Sequence, residues 1–198
     1  MQVAGPPIEF VCVEEGRPGG LRYRLREATA ATHHDLDAQF ATFDLTARKG
    51  YRRFLEASAA ALLPLEAALE RAGVAGLFSD WPERSRRDAI TADLARLEGE
   101  IRPMAEIAPL SRNAVLGTMY VLEGSRLGAR YLLRVIAASA DPLIAEVRTY
   151  LGHGAGQPLW RSFLARLERE PMTEDDAAEA IAGARQAFAM FAEAAARA

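Results

Sequence analysis

From Leu21 almost to the C-terminus, apolar residues recur at intervals of three and four, the period of an amphipathic helix. In the first segment Leu21, Leu25, Ala28, Thr32, Leu36 and Phe40 fall on one stripe. A second is predicted from an N-cap at Thr46, through Tyr51, Phe54, Leu55, Leu62, Leu65 and Leu69 to Gly73, with Ser58 on the same face and a kink at Pro64. A third starts near Pro82 and carries Ile90, Leu94, Leu97 and Ile101. The fourth, capped by Ser111, passes through Val115, Met119, Leu122, Tyr131, Leu132 and Val135 to Ser139. A shorter helix opens at Asp141 and Pro142 and stops at Gly152, another begins at Pro158, and the last starts with the capping box Thr173 to Asp176 and runs nearly to Ala198. About seven helices with short links predict an all-α, single-domain, multi-helical fold.

Residues 1–20 lack this pattern. Pro6, Pro7, Gly16, Pro18, Gly19 and Gly20 interrupt any period, and the apolar run from Ile8 to Val13 is too isolated to build a sheet. The expected organisation is a flexible N-terminal arm, 1–20, before one helical domain, 21–198. Cys12 falls in the arm and reads as an incidental thiol, with no ordered base near it in sequence.

Composition narrows the class. With 198 residues, half of them hydrophobic, the chain can bury one core. It has no apolar run long enough to span a bilayer, no secretory leader pattern and a single cysteine, so the expected location is the cytoplasm, without a membrane partner. A net charge of -3 argues against the broad basic face that nucleic acid requires.

Two features resist a purely structural explanation. Gly117, Gly124 and Gly128 lie inside the fourth helix, where each glycine costs about 1 kcal/mol relative to alanine. Gly124 and Gly128, one turn apart, leave bare backbone that either a packed helix or a flat ligand could approach. His33 shares a face with Arg26 two turns before it and Asp37 one turn after. A cation about 10.5 Å along the axis suits an iron ligand with a carboxylate-bearing tail beyond it. An ordinary boundary histidine is the competing reading from spacing alone.

These residues resemble a known family. The stretch Leu25-Arg-Glu-Ala-Thr-Ala-Ala-Thr-His33, followed by Leu36 and Asp37, is similar to the proximal helix of heme oxygenases. Tyr120-Val-Leu-Glu-Gly-Ser-Arg-Leu-Gly-Ala129 resembles their distal helix, most closely in the bacterial, phytochrome-associated branch. Leu159-Trp-Arg-Ser-Phe-Leu-Ala-Arg-Leu167 and Ala187-Phe188 are similar to the C-terminal helices. The resemblance spans residues 21–195 in the correct order.

It implies a heme oxygenase-like fold and oxidative cleavage of heme b, both substrate and cofactor, to biliverdin, carbon monoxide and ferrous iron. His33 would be the axial iron ligand. Arg26, Arg161 and Tyr120 would contact heme, the arginines through its propionates, for which a planar guanidinium is apt. Gly124, Ser125 and Gly128 would form the catalytic distal face. Ser125 replaces an aspartate of the animal enzymes, Ala129 a third glycine, and Gln157 a propionate-binding lysine. A neutral histidine leaves iron able to bind oxygen, where a thiolate would promote O–O cleavage. With no dinucleotide fingerprint, the chain would take electrons from a ferredoxin, flavodoxin or reductase, and a phytochrome could accept the biliverdin.

Other residues carry weaker signals. His34 is turned about 100° from His33 by helical geometry. His153, between Gly152 and Gly154, reads as a loop residue without a specific role. Trp81, Trp160, Phe188 and Phe191 read most simply as core, with contact to a ligand as the alternative, and Arg84, Arg86 and Arg87 as a solvated face, with docking of an acidic electron donor as the alternative. Asp37 reads either as a hydrogen-bond partner of His33 or as a solvated carboxylate. Two rival functions share the pattern: a heme carrier or sensor without turnover, and a helical adaptor that kept only the fold.

Overall fold

Gly20, extended at φ -69° and ψ 159°, leads into α1 (Leu21–Phe40) in the computed structural model, which describes residues 19–198. Cys12 and nearly all of the expected arm lie outside the described residues. The buried line of α1 is Leu21, Leu25 and Thr29, and the Thr29 hydroxyl is satisfied by donating to the Leu25 carbonyl at 2.7 Å.

The second helix, α2 (Arg48–Arg71), is capped by Ala47 instead of Thr46. The Asp44 carboxylate accepts both the amide and the hydroxyl of Thr46, at 3.0 and 2.6 Å, so Thr46 closes the preceding turn. Pro64 lies inside α2, where it cannot donate to the Ala60 carbonyl one turn earlier. That orphaned oxygen accepts the Met104 amide at 2.9 Å, which ties the irregular 99–111 segment to the helix.

Gly73, at φ +74°, ends the second segment. The single turns α3 (Val74–Leu77) and α4 (Trp81–Arg84) follow, then α5 (Arg87–Arg96). The expected third helix is therefore interrupted at both ends. The buried Glu66 carboxylate takes the Ser85 hydroxyl and the Arg86 amide at 2.6 and 2.8 Å, setting a fresh N-terminus for α5. At the other end Glu98 adopts φ +52°, and the Gly99 amide turns back to Leu94 at 2.9 Å. Ile101 consequently lies outside the helix and exposed.

Ser111 caps α6 (Arg112–Ala137) by accepting the Ala114 amide, as its position predicts. The helix expected from Asp141 to Gly152 is instead two short ones, α7 (Pro142–Glu146) and α8 (Thr149–Gly152). Asp93, fully buried, accepts the Thr149 and Tyr150 amides at 3.1 and 2.8 Å and restarts the helix there. Next come α9 (Leu159–Leu167) and α10 (Glu174–Arg197), the latter opened by the reciprocal Thr173–Asp176 capping box. The architecture is all-α, with ten helical segments among the described residues where about seven are expected from periodicity. The difference comes from the extra turn α3 after Gly73 and from the breaks that the buried carboxylates of Glu66 and Asp93 place before α5 and α8.

Central α10 packs against α1, α2 and α6. A Cβ at Gly117 would lie 1.7 Å from the Ala180 carbonyl oxygen, and one at Gly183 would lie 2.4 Å from that of Ala114. Reciprocal bare backbone thus lets α6 and α10 touch. None of the described helices is long and apolar enough to cross a membrane.

Candidate functional site

One cavity, of about 1280 Å³, is lined by α1, α6, α9, α10 and the turn after α1. It exceeds the usual range for small-molecule sites, about 300–1,000 Å³. The apolar walls include Leu36, Val121, Trp160, Leu164, Phe188 and Phe191. Trp160 borders this space, as do Phe188 and Phe191, which also belong to the buried core as expected. Trp81 instead donates its indole N–H to Glu70 at 3.2 Å.

Every residue of the expected site borders this one cavity: Arg26, His33, Tyr120, Gly124, Ser125, Gly128 and Arg161, with Ala129 and Gln157 beside them. His33 projects from α1, half-exposed, its ring centroid 5.6 Å from that of Phe188. Its Nε2 lies 3.7 Å from Asp37 Oδ2, within ion-pair reach but longer than a hydrogen bond. Burial raises the Asp37 carboxyl above its ordinary pKa, while His33 and His34 pull it down. His34 itself faces solvent.

The glycines of α6 divide by role. Gly117 is consumed by packing on α10. Two turns later, a Cβ at Gly124 would meet only Trp160, at 3.8 Å or more, an ordinary contact. Helix packing therefore does not require a glycine at 124, and the bare backbone there faces the cavity.

Ser125 is held at both ends of its hydroxyl. The oxygen accepts from Arg86 Nη1 at 3.0 Å, and the proton goes to the Leu122 carbonyl at 2.8 Å. A lone pair, not a proton, is what it offers to the cavity. Tyr120 packs against Trp160, ring centroids 5.8 Å apart. Arg22, Arg26, Arg130 and Arg161 also line the cavity, against the carboxylates of Asp37 and Asp44. This cationic lining suits a ligand that carries carboxylates.

The arginines beneath α6 correct the sequence expectation of a solvated face. Arg84 is 2% and Arg86 4% exposed, and only Arg87 is half-exposed. Arg84 pairs with Asp80 at 2.8 Å and with Glu123, itself 1% exposed, at 3.0 Å. It also donates to the Leu159 carbonyl and the Ser162 hydroxyl at 3.1 and 2.8 Å, joining α4, α6 and α9. Arg86 reaches the cavity, donates to Leu122 O at 3.0 Å, and lies over the Tyr150 ring at 5.2 Å. The signal for this cluster was Glu123 itself, a charge on the apolar stripe of α6 that needed a buried partner. His153 also has a defined contact: its Nδ1 lies 3.2 Å from Arg126 Nη1.

Known proteins resemble this chain over most of its length. Residues 20–197 match the family model for heme oxygenase. The chain is 30% identical over 191 residues to the heme oxygenase PigA of Pseudomonas aeruginosa, covering 93% of this chain and 96% of that one. It is 36% identical over 115 residues to a heme oxygenase of Xanthomonas campestris pv. campestris, across 57% of this chain and 68% of the other. The solved NO- and CO-bound heme oxygenase of Neisseria meningitidis shares its fold, with a TM-score of 0.72, 24% identity, and coverage of 90% of this chain and 92% of that one. So does the heme oxygenase of Leptospira interrogans, with a TM-score of 0.68, 19% identity, and coverage of 90% and 100%. On a family match that spans nearly all of the described residues, and on the relatives that share it, the chain belongs to the heme oxygenase family, enzymes that degrade heme.

Proposed function

We propose that this chain opens heme b to biliverdin, with His33 as the residue that would hold the heme iron. The observation that carries the reading is a single large cavity bordered at once by a histidine, bare α6 backbone and several arginines. Heme, when bound, supplies the iron that takes up oxygen and the ring that is opened. Everything else falls to the side chains.

His33 would hold the iron from α1, with the Asp37 carboxylate, one turn on, within ion-pair reach of its ring. Arg26 and Arg161, which have no ion pair of their own among the described residues, take the propionates. Tyr120 and Trp160 close the apolar side. Gly124 and Gly128 let backbone approach the reacting face, where a side chain would fill the space. Ser125, whose proton is committed to Leu122, orients a water by accepting from it, and Arg86 fixes that hydroxyl from behind. Electrons come from an external ferredoxin, flavodoxin or reductase in the cytoplasm. Biliverdin is then available to a phytochrome, as in the bacterial branch that the α6 sequence resembles.

Hemin titration tests the reading first. A histidine-ligated Soret band should develop, and a reductant in air should convert it to biliverdin absorption. A stable Soret band without biliverdin would leave a carrier, and no band would leave an adaptor.

A further inference from the structure

The loop 153–158 joins α8 to α9 and supplies Gly156, Gln157 and Pro158 to the cavity wall, directly before Trp160 and Arg161. It is fastened to α6 at one point. Arg126 Nη1 lies 3.2 Å from His153 Nδ1 and donates to the His153 carbonyl at 3.2 Å. A Cβ on Gly154, at φ +72°, would come within 3.2 Å of the same nitrogen, so the loop is drawn tightly onto the guanidinium. Arg126 is itself immobilised. Its Nε donates to the buried Glu123 at 3.1 Å and its Nη2 to the Arg84 carbonyl.

Arginine has no acceptor, so the contact with Nδ1 requires a lone pair on that nitrogen. His153 must be neutral, with its hydrogen on Nε2. We propose that Arg126 and His153 form a proton-sensitive clasp: Arg126 is a positioning residue for the 153–158 wall of the heme cavity, and protonation of His153 releases that wall. The wall's importance to heme rests on the function proposed above; the clasp itself does not.

The surroundings favour release upon protonation. The groups around the imidazole are Arg126 from α6, Arg86 from the start of α5, and Arg148 from the start of α8, while Glu123 is already shared by Arg84 and Arg126. Burial, then Arg126 and Arg86, hold the His153 pKa below its ordinary value of 6.5. Arg126 is pushed down to about 10, by burial first and then by Arg86 against the pull of Glu123, and remains charged at neutral pH. The clasp is therefore still closed at the ordinary histidine value and is lost only as pH falls through the lowered one. Protonation turns Nδ1 from acceptor into donor and sets two cations face to face. The ring also borders a second cavity, about 490 Å³, lined by Leu133, Ile136 and Arg148.

Hydrogen exchange on the heme-free protein tests this directly. The amides of His153, Ala155 and Gln157 are hydrogen-bonded within this turn. After correction for intrinsic rates, their protection in the parent should fall roughly tenfold as pH is lowered from about 7.5 to the acid side of the lowered His153 pKa, with a midpoint below the ordinary histidine value. His153→Asn, whose amide oxygen accepts but cannot gain a proton, should stay protected at both. Arg126→Met should be unprotected at both, and Arg126→Lys partly protected. Exchange in α2 should be unchanged throughout, which confirms folding; if Arg126→Met fails to fold, the asparagine and lysine variants still decide. In the heme complex, the rate of heme loss to apomyoglobin should follow the same pattern. Protection lost in acid by His153→Asn as by the parent, or no pH dependence in the parent, would overturn the clasp. Failure to bind hemin with the exchange pattern intact would overturn the heme reading and leave the clasp standing.

Discussion

Gly117 and Gly124 lie two turns apart on α6, and the same substitution should move stability in opposite directions at the two positions. In both, alanine recovers about 0.8–1.0 kcal/mol of helix propensity. At Gly124 nothing opposes that gain, because the new methyl meets only Trp160 at 3.8 and 3.9 Å. Gly124→Ala should therefore be more stable than the parent by about 1 kcal/mol, or roughly 2–4 °C in Tm for a domain of this size. At Gly117 the methyl would lie 1.7 Å from the Ala180 carbonyl oxygen and 2.9 Å from the Ala184 amide nitrogen. Both are backbone atoms, so α10 must move bodily. Overpacking of this kind costs about 1–3 kcal/mol or more, and a 1.7 Å contact to backbone belongs at the upper end, which leaves Gly117→Ala about 2 kcal/mol less stable after the propensity gain is subtracted. Urea unfolding of the heme-free proteins followed by circular dichroism would measure the difference. Hemin binding should separate the variants the other way: Gly124→Ala, the more stable protein, should seat heme poorly or alter its products. Equal destabilisation at both positions would refute the division, since it would mean that Gly124 also serves helix packing.

His33→Ala should retain its helical circular dichroism but lose the histidine-ligated Soret band and turnover; full activity without added imidazole would exclude His33 as the ligand. Arg26→Glu combined with Arg161→Glu should still bind hemin, since an exposed ion pair is worth only about 0.2–1 kcal/mol, but should turn over slowly or give mixed biliverdin isomers by chromatography. The parent isomer at the parent rate would remove both arginines from the propionate role. Thr173→Ala should cost about 1 kcal/mol in urea unfolding, because it removes the N-cap of α10. In acid, the hydrogen-bonded Asp44, Asp80 and Asp176, whose pKa values lie below the ordinary 3.8, contribute stability that is complete above that value and is lost as pH falls through their lowered ones. An unfolding free energy that rose on acidification through this range would contradict these assignments.

Local chemistry determined much of this protein before any tertiary contact is considered. The Ser111 cap and the Thr173–Asp176 capping box locate the starts of α6 and α10, because each involves atoms within one turn of chain. His33 and the Gly124–Gly128 pair stand out for the same reason: helical spacing places each on a definite face. The sequence alone could not assign Gly117 and Gly124 to different tasks, since only the approach of α10 makes one of them a packing glycine. The arginines went further astray. Arg84 and Arg86 read as solvated charges, but their burial depends on Glu123, Leu122 and Ser125, which lie 36 or more residues away in the chain. Glu66 and Asp93 likewise split helices that periodicity joins, by offering carboxylates to backbone amides of distant segments. His153 gained its partner in the same manner. Amphipathic period and capping are properties of neighbouring residues and so can be read from sequence, whereas the burial of a charge is decided by partners that only the folded chain brings within hydrogen-bonding distance.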